Sequence, residues 1–149
     1  MEKHQVQWAA QFAVGAELMR RGYSCAFFLG NQPSYDLLCT GKQDFHLQIK
    51  GFSWDKPKKP SSKGACVIIK DLFTGEEQDL IVIVHVPKHP EAFEFYIAKR
   101  KDMADAENVK RDAINPKSGK PYAKFSAGIS YRNFEKFKDC WNVPPPPHL

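Results

Sequence analysis

Residues 33–50 read Pro33-Ser34-Tyr35-Asp36-Leu37-Leu38-Cys39-Thr40-Gly41-Lys42-Gln43-Asp44-Phe45-His46-Leu47-Gln48-Ile49-Lys50. Two strand-forming segments, 35–39 and 44–50, are joined by Thr40-Gly41-Lys42-Gln43, a short glycine-containing connection, and together they predict a β-hairpin. Side chains alternate across a strand, so Phe45, Leu47 and Ile49 share a core face while His46, Gln48 and Lys50 share the other. Asp36 is a charge in an otherwise apolar strand, which is costly unless it pairs or binds a metal. The hairpin can bring it close to Gln48 and Lys50. A cross-strand Asp36–Lys50 ion pair on a solvated face accounts for the same residues. The pattern alone therefore leaves a site and a surface pair both open.

Outward from this hairpin, Trp8, Ala9, Phe12, Ala13, Ala16 and Met19 recur at three- and four-residue intervals and predict one amphipathic helix over 5–21. Arg20-Arg21-Gly22 ends it with cations and a glycine. A strand rich in aromatics follows over 23–28. The stretch 51–64 (GFSWDKPKKPSSKG) reads as a loop, and a strand follows over 65–70. Leu80-Ile81-Val82-Ile83-Val84 is a continuous aliphatic run of the kind buried on both faces of a sheet. Another strand is expected over 94–98 and a charged helix over 101–111. Tyr131, Phe134, Phe137 and Trp141 are at helical spacing. Residues 143–149 form a proline-rich tail, expected to be flexible. With no repeat and no linker, residues 1–149 read as a single α/β or α+β domain.

The 149 residues are 42% hydrophobic and 13% aromatic, which argues against disorder and for one domain with a sizeable core. No apolar run is long enough to span a bilayer, and the N-terminus lacks the basic-then-apolar order of a signal peptide. Cys25, Cys39, Cys66 and Cys140 form no CxxC pair, and the first three lie in apolar segments where a free cysteine acts as a small buried hydrophobe. These features point to a cytoplasmic protein. A net charge of +5, from 22 Lys and Arg against 17 Asp and Glu, is compatible with a polyanionic partner without demanding one.

The helix ending Leu18-Met19-Arg20-Arg21-Gly22-Tyr23, then Pro33-Ser34-Tyr35-Asp36-Leu37, then Leu47-Gln48-Ile49-Lys50 resembles the core of the PD-(D/E)XK nuclease superfamily. It is most similar to the branch of small endonuclease-like proteins that carry QxK in place of (D/E)xK. That superfamily includes Holliday-junction resolvases and one class of homing endonuclease. The match runs from about residue 5 to residue 50, and more loosely through 79–84 and 93–98. It implies a restriction-endonuclease-like core: an N-terminal helix, then a mixed central sheet flanked by helices. It also implies a Mg²⁺-dependent DNA endonuclease, with Mn²⁺ as a substitute, that hydrolyses phosphodiester bonds by metal-activated water attack. In this reading Asp36, Gln48 through its amide oxygen and the backbone carbonyl of Ile49 hold the metal, and Lys50 orients the water and balances charge. Two positions depart from the family pattern: Gln48 stands where most members have an acid, and Gln11 aligns with a glutamate of the first helix. Glu17, about 120° around the helix from Gln11, reads as a solvated surface carboxylate.

His46 shares a strand face with Gln48 and Lys50 and can reach phosphate or serve as an ordinary sheet histidine. Lys56, Lys58, Lys59 and Lys63, with Trp54 beside them, form the densest basic cluster, suited either to a nucleic-acid backbone or to solvent. His85 and His89 lack zinc-ligand spacing. The resemblance implies a DNA partner, duplex or branched, and a homo-oligomer, since related nucleases pair two sites to cut both strands. The alternative is a catalytically degenerate nuclease fold that acts as a DNA-binding or protein-interaction module; a protein-interaction role without nucleic acid is a third.

Overall fold

In a computed structural model the described residues are 1–28, 35–59, 65–107, 114, 116–120 and 127–148. The chain opens with α1 (Lys3–Arg20), followed by β1 (Ser24–Phe27), β2 (Leu37–Thr40), β3 (Phe45–Phe52), β4 (Cys66–Ile69), β5 (Leu80–His85) and β6 (Glu94–Lys99). Then come α2 (Arg100–Ala106), β7 (Ala127–Ser130) and α3 (Tyr131–Phe134), which runs into a 3₁₀ turn at Glu135–Phe137. Five strands make a mixed sheet in the order β1-β2-β3-β5-β6, with β3 and β5 parallel and the other neighbours antiparallel. This is the α/β class expected, with its N-terminal helix and mixed central sheet.

Each residue of β5 is buried because both faces of the sheet are covered. On one face Val6, Ala10, Val14 and Leu18 of α1 pack with Leu47, Ile49, Val82 and Val84. On the other, Phe52, Ile81 and Ile83 pack with Ile69, Tyr96 and Phe134. Among the described residues no helix is long and apolar enough to cross a membrane.

Four expectations are corrected. The spacing correctly predicts a helix at the N-terminus, ended by Gly22 at φ 94°. Its buried stripe, however, is Val6-Ala10-Val14-Leu18, while Trp8, Phe12 and Met19 stay largely exposed. α1 is apolar nearly all round, so periodicity finds the helix without choosing its inner face. Small residues win that choice because α1 lies very close to β3: a Cβ on Gly51 would stand 2.8 Å from the Val6 carbonyl oxygen and 2.9 Å from the Ala10 Cβ. The predicted strand at 65–70 forms, but pairs with the unforeseen β7 as a separate two-stranded sheet, and this leaves Cys66 exposed.

The helix expected over 131–141 is a single turn and a 3₁₀ turn. It stops where Asp139 takes φ 54° and gives its N–H to the Phe95 carbonyl at 2.9 Å. The charged helix over 101–111 is observed as α2 to Ala106, and 108–113 lie outside the described residues. The tail expected to be flexible is tied down: Tyr23 Oη donates to the Pro145 carbonyl at 2.6 Å and the Lys42 N–H to that of Pro146 at 2.9 Å.

Candidate active site

Asp36 sits one residue before β2, beside β3, where Leu37 is the register partner of Leu47. Its N–H donates to the Leu47 carbonyl at 2.8 Å and its carbonyl accepts from the Phe28 N–H at 3.1 Å, so its backbone is fixed on both sides. Its carboxylate is held too. Oδ2 accepts from the Ile49 N–H at 2.7 Å, and Oδ1 accepts from Gln11 Nε2 at 3.2 Å. One turn earlier on α1, Gln7 Nε2 donates to the Ile49 carbonyl at 2.8 Å, while its Oε1 accepts from the Gly51 N–H at 3.1 Å. Two glutamines on one helix face thus fasten α1 to the hairpin, Gln7 to β3 and Gln11 to Asp36 ahead of β2, and the bare Gly51 backbone allows that approach.

Burial pushes the Asp36 carboxyl above its ordinary pKa, and the Ile49 N–H and the Lys50 charge offset this only in part. Asp36, Lys50, Gln7, Gln11, Trp54 and Lys70 line a cleft of about 880 Å³, and among the described residues Asp36 is the one carboxylate on its walls. A second cleft, of about 430 Å³, shares Lys70 and is lined by Tyr35, His46, Gln48 and Arg100 and by the carboxylates Asp71, Glu76 and Asp79.

Asp36, Lys50 and Gln11 therefore share one cleft, whereas Gln48 and His46 line the other. Gln48 Oε1 accepts from Arg100 Nη2 at 2.9 Å. Arg100 is only 4% exposed; its Nη1 donates to the Lys70 carbonyl at 2.7 Å, and Asp79 Oδ2 lies 3.6 Å from Nη2. His46 is exposed and stacks on Tyr35, ring centroids 4.1 Å apart. In the basic cluster, Lys58 and Lys59 are exposed, and Lys63 lies outside the described residues. Lys56 instead donates to both carboxylate oxygens of Glu94 at 2.6 Å, and Tyr96 Oη donates to the same group at 2.9 Å. Trp54 is half-buried and packs on Phe52. Glu17 is bound to Arg20 and Arg21 at 3.1 and 3.0 Å.

Sequence reasoning missed Gln7 and Arg100. Gln7 had a signal: it stands four residues before Gln11, hence on the same helix face. Arg100 had none, since it reads as one more charge at the start of a helix.

Among the described residues no group of three or more His, Cys, Asp or Glu side chains is arranged to hold a metal ion. Mg²⁺, however, is commonly held by one or two carboxylates, with waters and substrate phosphate completing its shell. Asp36 suits that role, because each of its oxygens accepts one hydrogen bond and keeps lone pairs in hand. The Ile49 carbonyl also keeps a lone pair beyond its bond from Gln7. The oxygen of Gln48 does not suit it, being bound to a permanent cation.

No protein-family profile matches the sequence, and no curated protein matches it. Among solved structures the chain is similar to that of a bacterial homing endonuclease, I-Ssp6803I. The TM-score is 0.55 at 14% identity, over 96% of this chain and 93% of that chain. At that identity the likeness is one of fold, and it extends over nearly the whole length of both proteins.

Proposed function

We propose that this protein is a Mg²⁺-dependent DNA endonuclease of the PD-(D/E)XK type that hydrolyses phosphodiester bonds by attack of water. The observation that carries this reading is the fastening of the Asp36 carboxylate, by the Ile49 N–H and Gln11, on the wall of a cleft that Lys50 also lines. A fold like that of a homing endonuclease supports it. Asp36 and the carbonyl of Ile49 would hold Mg²⁺, with Mn²⁺ as a substitute. When bound, the ion polarises the phosphoryl group and lowers the pKa of water. Gln11 and the Ile49 N–H keep Asp36 oriented, and Gln7 does the same for the Ile49 carbonyl. Lys50 supplies a positive charge beside the phosphate and orients the water. The substrate is duplex or branched DNA, and two copies of the chain would be needed to cut both strands together.

The test is incubation with supercoiled plasmid and Mg²⁺ or Mn²⁺, with and without chelator, for the wild type and Asp36→Asn. Metal-dependent nicking by the wild type alone is the expected result. Equal activity in the two chains would assign the cleavage to another site or a contaminant.

A further inference from the structure

We propose that Gln48 meets DNA as a hydrogen-bond donor to a backbone phosphate oxygen, that Arg100 positions it, and that it is not a ligand of the metal. This rests on the nuclease reading and reassigns one side chain within it.

A guanidinium carries donors and no acceptor, so the Gln48 atom 2.9 Å from Arg100 Nη2 is the oxygen. Arg100 is itself held fast. Its Nη1 donates to the Lys70 carbonyl and its backbone N–H to the Asp79 carbonyl at 2.8 Å. Gly75 closes on the other side, where a Cβ would stand 2.6 Å from Nε. A cation placed on the Gln48 oxygen would face the guanidinium charge at short range, where repulsion is strong. What Gln48 can offer to the cleft is therefore its NH₂ group. It stands between His46 and Lys50 on one strand face, and Lys70 lines both clefts, so the donor has Lys50 beside it on its own strand, while Asp71, Glu76 and Asp79 also line the smaller cleft.

The same geometry explains why an amide stands at position 48. A carboxylate there would satisfy Arg100 equally well but turn negative charge toward the phosphate. Glutamine satisfies the buried arginine and keeps a donor outward.

The test uses Gln48→Glu, which keeps an acceptor for Arg100, and Gln48→Ala, which opens room for water to reach it. Binding of a labelled duplex is measured in EDTA by anisotropy, and Mn²⁺ binding without DNA by calorimetry, with melting curves to confirm folding. Both variants are expected to bind the duplex more weakly, by about tenfold for Glu, as befits loss of a bond to a charged group. Neither should change Mn²⁺ binding. If Gln48→Glu takes Mn²⁺ more tightly, or Gln48→Ala takes it less tightly, Gln48 is a metal ligand and the inference is overturned. Either variant binding DNA as the wild type does overturns it as well. A wild-type chain that fails to bind duplex would instead remove the nuclease reading, and this inference with it.

Discussion

The Gln11 amide donates to the Asp36 carboxylate at 3.2 Å, across a sequence separation of 25 residues. This bond joins the helix on one face of the sheet to the β2–β3 hairpin within it. Gln11→Glu would replace the donor by a second carboxylate beside Asp36. Two such groups cannot both ionise at ordinary cost. Without metal the variant is expected to melt below the wild type near neutral pH. With Mn²⁺ the two carboxylates become a better oxygen pair, and the melting temperature should recover and overtake that of the wild type. Scanning fluorimetry across a Mn²⁺ titration reads both effects, and a variant indifferent to Mn²⁺ would count against Asp36 as a ligand.

Asp36→Asn and Lys50→Ala are expected to lower metal-dependent cleavage by on the order of a thousandfold, the scale of losing several kcal/mol of transition-state stabilisation. Folding should not suffer. Burial raises the Asp36 pKa, so between its ordinary and raised values the folded chain holds a proton that the unfolded chain has released. In that window stability falls as pH rises, and above it the loss is complete. Asp36→Asn cannot ionise and escapes the loss. Its melting temperature relative to the metal-free wild type should therefore grow as pH rises through the raised pKa, and be level below the ordinary carboxylate value. A difference that shrinks with rising pH would show the carboxylate to be net stabilised by its partners.

The hairpin and its Asp36 and Lys50 were legible because a short glycine connection and strict alternation fix which residues meet, all within eighteen positions. Gln11 was legible only through resemblance. The inner face of α1 was not, because Trp8 and Phe12 are better hydrophobes than Val6 and Ala10 yet too large for the close approach that Gly51 permits. The Gln48–Arg100 bond joins residues 52 apart on different elements, and no local pattern encodes it. β7 escaped notice because its short AGIS segment has one large apolar residue, Ile129, and gains its partner only from β4.

Gly51→Ala isolates the importance of that approach. The added methyl would meet the Val6 carbonyl oxygen at 2.8 Å and the Ala10 Cβ at 2.9 Å, backbone and stiff helix rather than a movable side chain. α1 must shift outward, stretching both Gln7 bonds to the strand. A loss of about 1–3 kcal/mol is expected from overpacking, readable as a lower urea midpoint. Because Gln11 moves with the helix, cleavage should fall further than the folded fraction does. Activity that tracks the folded fraction alone would show that α1 contributes nothing to placing Asp36.

The basic cluster after β3 should divide by function rather than act as one patch. Lys58 and Lys59 are exposed and able to neutralise phosphates. Lys56 is already bound to Glu94 in a group completed by Tyr96 and by Lys138 at 3.6 Å. Each lysine that neutralises a phosphate contributes roughly 0.9 to the slope of log affinity against log salt on duplex DNA. Lys58→Ala with Lys59→Ala should therefore flatten that slope by about two units, nearly independently of sequence, and leave the melting temperature unchanged. Lys56→Ala should do the opposite. It removes the closest partner of a half-buried carboxylate, so the melting temperature falls, and the slope changes little because that charge was already satisfied. Anisotropy on one labelled duplex across a salt series, beside melting curves, separates the two. A slope that responds to Lys56 as strongly as to its neighbours would mean that DNA draws this lysine away from Glu94.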